Sequence, residues 1–585
     1  MKSLFSKKYL VLLLFLLTSL SGFSQGLSST QIDSLVKKSM KTFNVPGMAV
    51  AVIKDGKIVS KKGYGIRSVN TEKPVNTKTL FGVASNTKAF TSAALAQLID
   101  DGKLKWDTKV TTIIPEFQLY NPYVTSEFTV RDLLTHRSGL GLGAGDLMVF
   151  PASNTTSRDE MIHNLRYLKP VSSFRSKFDY DNLLYIVAGE IVSRVSDKSY
   201  ESYIENNFFK PLNLKRMTMD RKEIANDNNV IDGHAPVDGE LKITRKTFTD
   251  VGKPAAGIYA SIDAMTKWVQ VRLNHGKYGK NGQNSLFSKK SDKEMWTPQT
   301  LIKTGKGAYN THFKAYGLGW FLSDVNGYFE VTHTGGLLGI VSQVTMIPEL
   351  DLGIIVLTNQ QSGSAFTAIT NSIKDSYFGI DDKNRIKQYN DARLKGEKRA
   401  DSITNSVEAS LQKQLKSGAP KPDVSNFTGT FKDPWFGKVN ITKAKNGKLR
   451  FKATKALDLV GNMQFYKGST YVVRWDDESL KADAFVNFSL DTEGKAKGFT
   501  MKPLSPLTDF SYDYQDLDFE RVEESRSFQI CHCKFIISNF KTGDFDDFKS
   551  SVSASITISI SKNRYLRLSK FSAAFCVQIF SFNLN

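Results

Sequence analysis

The run from Ala89 to Ile99 is apolar or small on nearly every side, which predicts a helix buried all round and a large core wrapped about it. Asp101-Gly102 supplies its stop signal. Ser85 stands at the first turn, where free backbone N–H groups and the positive helix end favour a developing anion. Lys88 follows at i+3, so its amine lies over the same face as the serine hydroxyl. A nucleophilic serine needs a partner to take its proton, and a buried lysine can be tuned to do so. Other Ser-x-x-Lys pairs occur at Ser34/Lys37, Ser410/Lys413, Ser538/Lys541 and Ser559/Lys562, but in polar or amphipathic surroundings, where they read as solvated turns or helix faces. Only Ser85/Lys88 opens a core helix.

The chain of 585 residues is long for one domain, and two are expected with extra segments. Lys2, Lys7 and Lys8 precede the apolar run LVLLLFLL, and Gly22-Phe23-Ser24 offers small residues before a cut between Ser24 and Gln25. Residues 1–24 therefore read as a signal peptide, and the mature protein as periplasmic or secreted. No cysteine follows the cut, so a lipid anchor is not expected, and no later stretch is apolar enough to be a transmembrane anchor. The formal net charge of +21 is spread along the chain without a nucleic-acid motif, so no nucleic-acid partner is expected. A generally basic solvated surface accounts for it, with contact to anionic envelope polymers such as peptidoglycan as the alternative. Cys531, Cys533 and Cys576 all lie near the end, leaving the main body to be held by its core rather than by disulfides. Cys531-His532-Cys533 has no second ligand pair, so no metal site is expected.

Ile32, Leu35, Val36, Met40 and Phe43 stand at helical spacing over 29–44. Two strands, 48–54 and 57–65, are predicted around an Asp55-Gly56 turn. Residues 105–300 read as mostly helical with loops, and strands return with a turn at Asn326-Gly327 and a further hairpin ending near Gln360. An amphipathic helix over 365–377 closes the unit, an α/β sandwich with a helical lobe spanning 25–380. Residues 381–423 are polar and charged, a linker with some helical character. Short alternating strands over 424–522 predict a separate small antiparallel β domain, a barrel. From 523 to 585 the chain loses its patterning and has no physical reading as a domain.

Two further motifs carry chemistry. Tyr180-Asp-Asn182 lies just before a helix, where a loop can aim a phenol and an amide into a cleft. A nearby lysine ammonium would lower the phenol's pKa and make it a possible general base; packing on its neighbours is the plainer alternative. His333-Thr334-Gly335-Gly336 lies on a strand, where glycines let a ligand approach the backbone. A free N–H at Gly336 would join that of Ser85 as a pair of oxyanion donors.

Ser85-x-x-Lys88, Tyr180-x-Asn182 and His333-x-Gly335, together with LLTHRSGL, YGLGW and VTHTGG, resemble the motifs of the serine β-lactamase-like hydrolases over about residues 29–380. The group includes class C β-lactamases, D-alanyl-D-alanine carboxypeptidases and related esterases, and residues 424–522 resemble its lipocalin-like appended domain. The resemblance implies a β-lactamase/transpeptidase-like sandwich, an antiparallel sheet with flanking helices, acting without cofactor or metal. It implies Ser85 as the acylated nucleophile, Lys88 and Tyr180 as its proton relay, and Asn182, His333, Thr334, Gly335 and Gly336 as substrate and oxyanion contacts. The substrates implied are D-amino-acid peptides or small esters, with a true β-lactamase or a slowly deacylating penicillin-binding sensor as alternatives. His333 stands where many β-lactamases have lysine, so β-lactams are expected to be poorer substrates than esters. An imidazole with an ordinary pKa near 6.5 would charge as pH falls, so carboxylate-bearing substrates are expected to gain toward pH ~6.

Overall fold

The computed structural model describes residues 26–523 apart from 245–249, 306, 418–421 and 446. The signal peptide, the C-terminal cysteines and the tail from 524 onward lie outside the described residues.

The chain opens with helix α1 (Ser29–Phe43), started by a capping box between Ser28 and Gln31. Strands β1 (Gly47–Lys54) and β2 (Lys57–Gly65) follow. Asp55 and Gly56 between them both have positive φ, 52° and 70°, the requirement of the tight hairpin turn expected there. Next come α2 (Lys88–Asp100), α3 (Leu183–Ser196) and α4 (Ile262–Leu273). The strands then return as β3 (Thr300–Ile302), β4 (Lys314–Tyr316), β5 (Phe321–Val325), β6 (Tyr328–Leu337), β7 (Ile340–Ile347) and β8 (Leu352–Thr358), and α5 (Gly363–Phe378) closes the unit. Asn326 and Gly327 repeat the two-residue turn, with φ of 51° and 85°.

These eight strands form one antiparallel sheet in the order β3-β4-β5-β6-β7-β8-β1-β2. The sheet is the middle layer, and the period of two shows it directly. Met48, Val50 and Val52 of β1 join a core with Ile32, Val36 and Ile369 of α1 and α5, while Ala49, Ala51 and Ile53 face the opposite core, which contains α2 and α3. The region 105–300, expected to be mostly helical, is broken into short helices and two- or three-stranded sheets around α2, α3 and α4.

Helix α6 (Arg385–Lys416) fills most of the stretch read as a linker. It is polar nearly all round and pinned at both ends. Arg385 clasps Asp375 of α5 through two hydrogen bonds of 2.6 and 2.9 Å, and Val407 and Leu411 pack on Val472 and Leu504. Beyond it, eight strands from Gly429–Asp433 to Asp518–Arg521 make a closed antiparallel barrel. The barrel docks on the helical lobe. Asn164 donates to the Trp435 carbonyl at 2.9 Å, the Asp458 N–H donates to Ser153 at 2.8 Å, and Lys455 meets Glu160 at 2.9 Å.

Strand β6 runs against the turn that carries Ser85. A Cβ at Gly335 would lie 2.2 Å from the Val83 carbonyl oxygen and 3.0 Å from the Ala84 Cβ, whereas at Gly336 it would meet nothing within 4 Å. Gly335→Ala is therefore expected to push β6 off the Ser85 turn, costing about 1–3 kcal/mol and most of the hydrolytic rate. Gly336→Ala should keep the wild-type melting temperature. Thermal melts of both variants check this, and an equally stable Gly335→Ala protein would contradict it.

Candidate active site

Ser85 sits in a 3-10 turn, Ala84–Thr87, that runs directly into α2. Ala84 just before it is held at φ 49°, a left-handed conformation costly for a residue with a Cβ. The surroundings fix it there. The Val83 N–H donates to Ile258 O at 2.9 Å and the Ile258 N–H to Thr87 Oγ1 at 3.2 Å. Asn86 Nδ2 donates to Ser342 Oγ of β7 at 2.9 Å, and that hydroxyl donates to Val83 O at 2.8 Å. The turn is thus tied to the sheet on one side and to the loop before α4 on the other, with Ser85 left half-buried.

Lys88 is fully buried, and its amine meets three acceptors: Asn182 Oδ1 at 2.7 Å, Ser85 Oγ at 3.0 Å and Ala255 O at 3.1 Å. An ammonium has three N–H donors, so this set satisfies it fully. A neutral amine has two, and can keep those to Asn182 and Ala255 while turning its lone pair on the Ser85 hydroxyl. Burial pushes the amine down to about 7, against the opposing pull of the Asp146 and Asp181 carboxyls. The arrangement can therefore hold a neutral lysine base against a serine hydroxyl near neutral pH.

The Tyr180 ring lies under the Lys88 amine, 4.8 Å from Nζ to the ring centre. Its phenol differs from the expectation. Burial pushes it well above its ordinary value, and a hydrogen bond with Ser85 offsets this only in part. The phenol is thus protonated at neutral pH and can hand a proton on, while the amine is the group poised to accept one.

His333 also differs. It is 1% exposed, accepts from the Tyr316 hydroxyl through Nε2 at 2.9 Å, and faces the Thr334 carbonyl with Nδ1 at 2.6 Å. A carbonyl only accepts, so Nδ1 carries a proton, and in the neutral ring Nε2 is then the acceptor for the Tyr316 hydroxyl. Burial, with the Lys88 charge behind it, pushes the imidazole down to about 3. The expected gain of carboxylate-bearing substrates toward pH ~6 is therefore overturned, because the ring does not charge in that range. Thr334 and Gly336 are the exposed residues of this end of β6, and β5 pairs with β6 only as far as Thr332.

The structure thus brings Ser85, Lys88, Tyr180 and Asn182 into one cluster beside β6. It adds residues that motif reading missed. Asp146 accepts from Asn182 Nδ2 at 2.8 Å, which turns the amide oxygen toward Lys88. Asp181 is buried beside it, where desolvation pushes its carboxyl up to about 7. His136 packs tilted against Tyr180 with ring centres 4.2 Å apart and accepts from the Asp181 N–H at 3.0 Å. His136 and Tyr316 lay within LLTHRSGL and YGLGW, whose only signal was likeness.

Comparison with known proteins places the chain in a family. The family model described as Beta-lactamase matches residues 32–375, more than half of the chain. The chain belongs to the β-lactamase family. It is a serine hydrolase of that family, and a second model, a domain of unknown function (DUF3471), matches residues 413–521. The chain is 25% identical over 446 residues to "Unguisins hydrolase ungD" of Aspergillus violaceofuscus, covering 72% of this chain and 78% of that one. It is 26% identical over 344 residues to "Protein flp" of Staphylococcus aureus, covering 57% of this chain and 64% of flp, less than two thirds of its length. Among solved structures, the octameric penicillin-binding protein homologue from Pyrococcus abyssi superposes with a TM-score of 0.54 at 21% identity. That match covers 84% of this chain and all of the other, and it shows a shared fold. No helix among the described residues is long and apolar enough to cross a membrane.

For this β-lactamase-family chain the neutral His333 gives a direct expectation. The ratio of kcat/KM for a carboxylate-bearing substrate to that for an uncharged ester should stay flat from pH ~6 to ~8. Steady-state assays of paired substrates check it, and a ratio rising as pH falls would show that the imidazole takes up a proton.

Proposed function

We propose that this chain is an exported hydrolase that cleaves D-amino-acid peptides or small esters through an acyl-enzyme on Ser85. The observation that carries the reading is the buried Lys88 amine, 3.0 Å from Ser85 Oγ and pushed down to about 7. In the first step Ser85 Oγ attacks the substrate carbonyl carbon while its proton passes to Lys88 Nζ. The resulting oxyanion is held by the N–H groups of Ser85 and Gly336. The carbonyl–leaving-group bond then breaks, and the leaving amine or alcohol takes its proton from the Lys88/Tyr180 pair, leaving an ester on Ser85. Water attacks that ester, giving its proton to the same pair, and the acid departs with Ser85 restored.

The walls support this choice of substrate. The neutral His333 offers no fixed positive charge to a substrate carboxylate, which favours uncharged esters and amides over β-lactams. Beside Asn182 lies a narrow cavity lined by Val149, Phe150, Ile186, Ala255 and Leu337, with room for about one methyl-sized group. The relative named as an unguisins hydrolase supports a hydrolytic role, and the N-terminal charged-then-apolar segment supports export.

Ser85→Ala removes a single oxygen and should leave the fold intact while abolishing both turnover and fluorophosphonate labelling. Lys88→Ala and Tyr180→Phe should each lose roughly 10³-fold or more in kcat, since members of one relay act as a unit. A panel of D-amino-acid peptides, p-nitrophenyl esters and nitrocefin identifies the substrate class. A Ser85→Ala protein that keeps more than about one per cent of wild-type activity would refute the assignment.

A further inference from the structure

The segment joining the last two barrel strands, residues 504–517, leaves the barrel and enters the catalytic lobe. Phe510 sets its ring edge-on to Tyr180, with centres 5.9 Å apart, and its carbonyl oxygen lies against Gly143, where a Cβ would come within 2.7 Å of it. The Ser511 hydroxyl donates to Asp146 Oδ2 at 2.8 Å. Asp513, fully buried, accepts from the N–H groups of Gly145 at 2.6 Å and Leu147 at 3.3 Å, on either side of Asp146. The barrel thus grips the successive residues Gly145, Asp146 and Leu147 at three atoms.

The chain of contacts then runs inward. Asp146 Oδ2 accepts from both Ser511 Oγ and Asn182 Nδ2, while Oδ1 has no hydrogen-bond partner among the described residues. With its NH₂ committed to Asp146, Asn182 can offer Lys88 only its oxygen. We propose that Ser511 and Asp513 of the C-terminal barrel are positioning residues of the catalytic centre, acting on the Lys88 amine through Asp146 and Asn182. On this view the barrel completes the hydrolase rather than accompanying it. The inference rests on the proposed role of Lys88 as the base.

The direction of the effect can be worked out from the groups that face the pair. Lys88 is faced by Ser85 from its own turn, by Asn182, Asp181, Tyr180 and Tyr185 from the start of α3, by Asp146, and by the neutral rings of His136 and His333. Asp146 is faced by Asn182, Asp181, Ser511 and Asp513. Burial pushes Asp146 up to about 8, and the hydrogen bonds from Asn182 and Ser511 restrain that rise. Removing the Ser511 hydroxyl leaves Asp146 Oδ2 with Asn182 Nδ2 as its one remaining side-chain donor among the described residues, so the carboxyl, and the Asn182 amide it orients, are held less firmly. The amide oxygen that accepts from the Lys88 ammonium is then less well placed to favour the charged form, so the amine should lose its proton at lower pH.

The test uses the full chain with Ser511→Ala and Ser511→Thr, the second keeping a hydroxyl. The Lys88 amine is followed by side-chain ¹⁵N NMR, a readout that does not need turnover, and assigned by its loss in Lys88→Arg. In Ser511→Ala its midpoint should fall by about half a pH unit or more, and the acidic limb of kcat/KM should move the same way. Ser511→Thr should restore the wild-type midpoint. An unchanged midpoint in Ser511→Ala overturns the inference whatever happens to the rate, as does an equal shift in both variants. If the midpoint moves as stated but the kcat/KM limb does not follow in any protein, the role of Lys88 as base is what fails.

Discussion

Taking one lysine amine out of water is the constraint on which the rest of this structure depends. A buried charge without partners is costly, and here burial is complete. Three acceptors arranged for an ammonium make the charged form tolerable, and two buried carboxyls add electrostatic support. The balance leaves the amine near its transition at neutral pH, so it can take a proton from Ser85 and give it back. The two neighbouring imidazoles are kept neutral by the same burial and by the lysine's own charge. A positively charged ring in either place would push the amine further down.

The architecture maintains that cavity from several directions. α2 brings the lysine, and the turn before it is tied to β7 and to the Ile258 backbone. The start of α3 brings Tyr180, Asn182 and Asp181, and β6 closes the remaining side because Gly335 lets it lie against Val83 and Ala84. Around these, the eight-stranded sheet separates two cores, so the site rests on a layer packed on both faces. α6 spans from the α5 ion pair to the barrel, and the barrel returns a loop to the same site.

Much of this was legible in the sequence where local chemistry dictates it. Asp55-Gly56 and Asn326-Gly327 announce turns because both positions need positive φ. The core helix after Ser85 is apolar on every side, and the order of the motifs carried the family. What could not be read is what distance in sequence hides. Asp146 and Asp181 look like any loop carboxylates until burial is known, and His333 looks titratable until Tyr316 and the Thr334 carbonyl enclose it. The Tyr180 phenol was expected to be lowered by a cation, yet desolvation outweighs that attraction. Residues 381–423 read as a linker because their polarity hides a helix with ion pairs such as Lys387–Asp391 and Arg393–Glu397 at i,i+4. Ser511 and Asp513 lie more than 360 residues from the turn they hold, and no local pattern marks them.

The central claim is that a lysine poised near neutrality activates Ser85. The most direct measurement is the rate of fluorophosphonate labelling of the full-length protein from pH ~5 to ~9, with the modified residue identified by mass spectrometry. The account predicts a single adduct on Ser85, with a rate that rises roughly tenfold per pH unit below the midpoint and levels off above about 7. A rate still climbing past pH ~9, as an ordinary lysine would give, or an adduct on another residue, would contradict it.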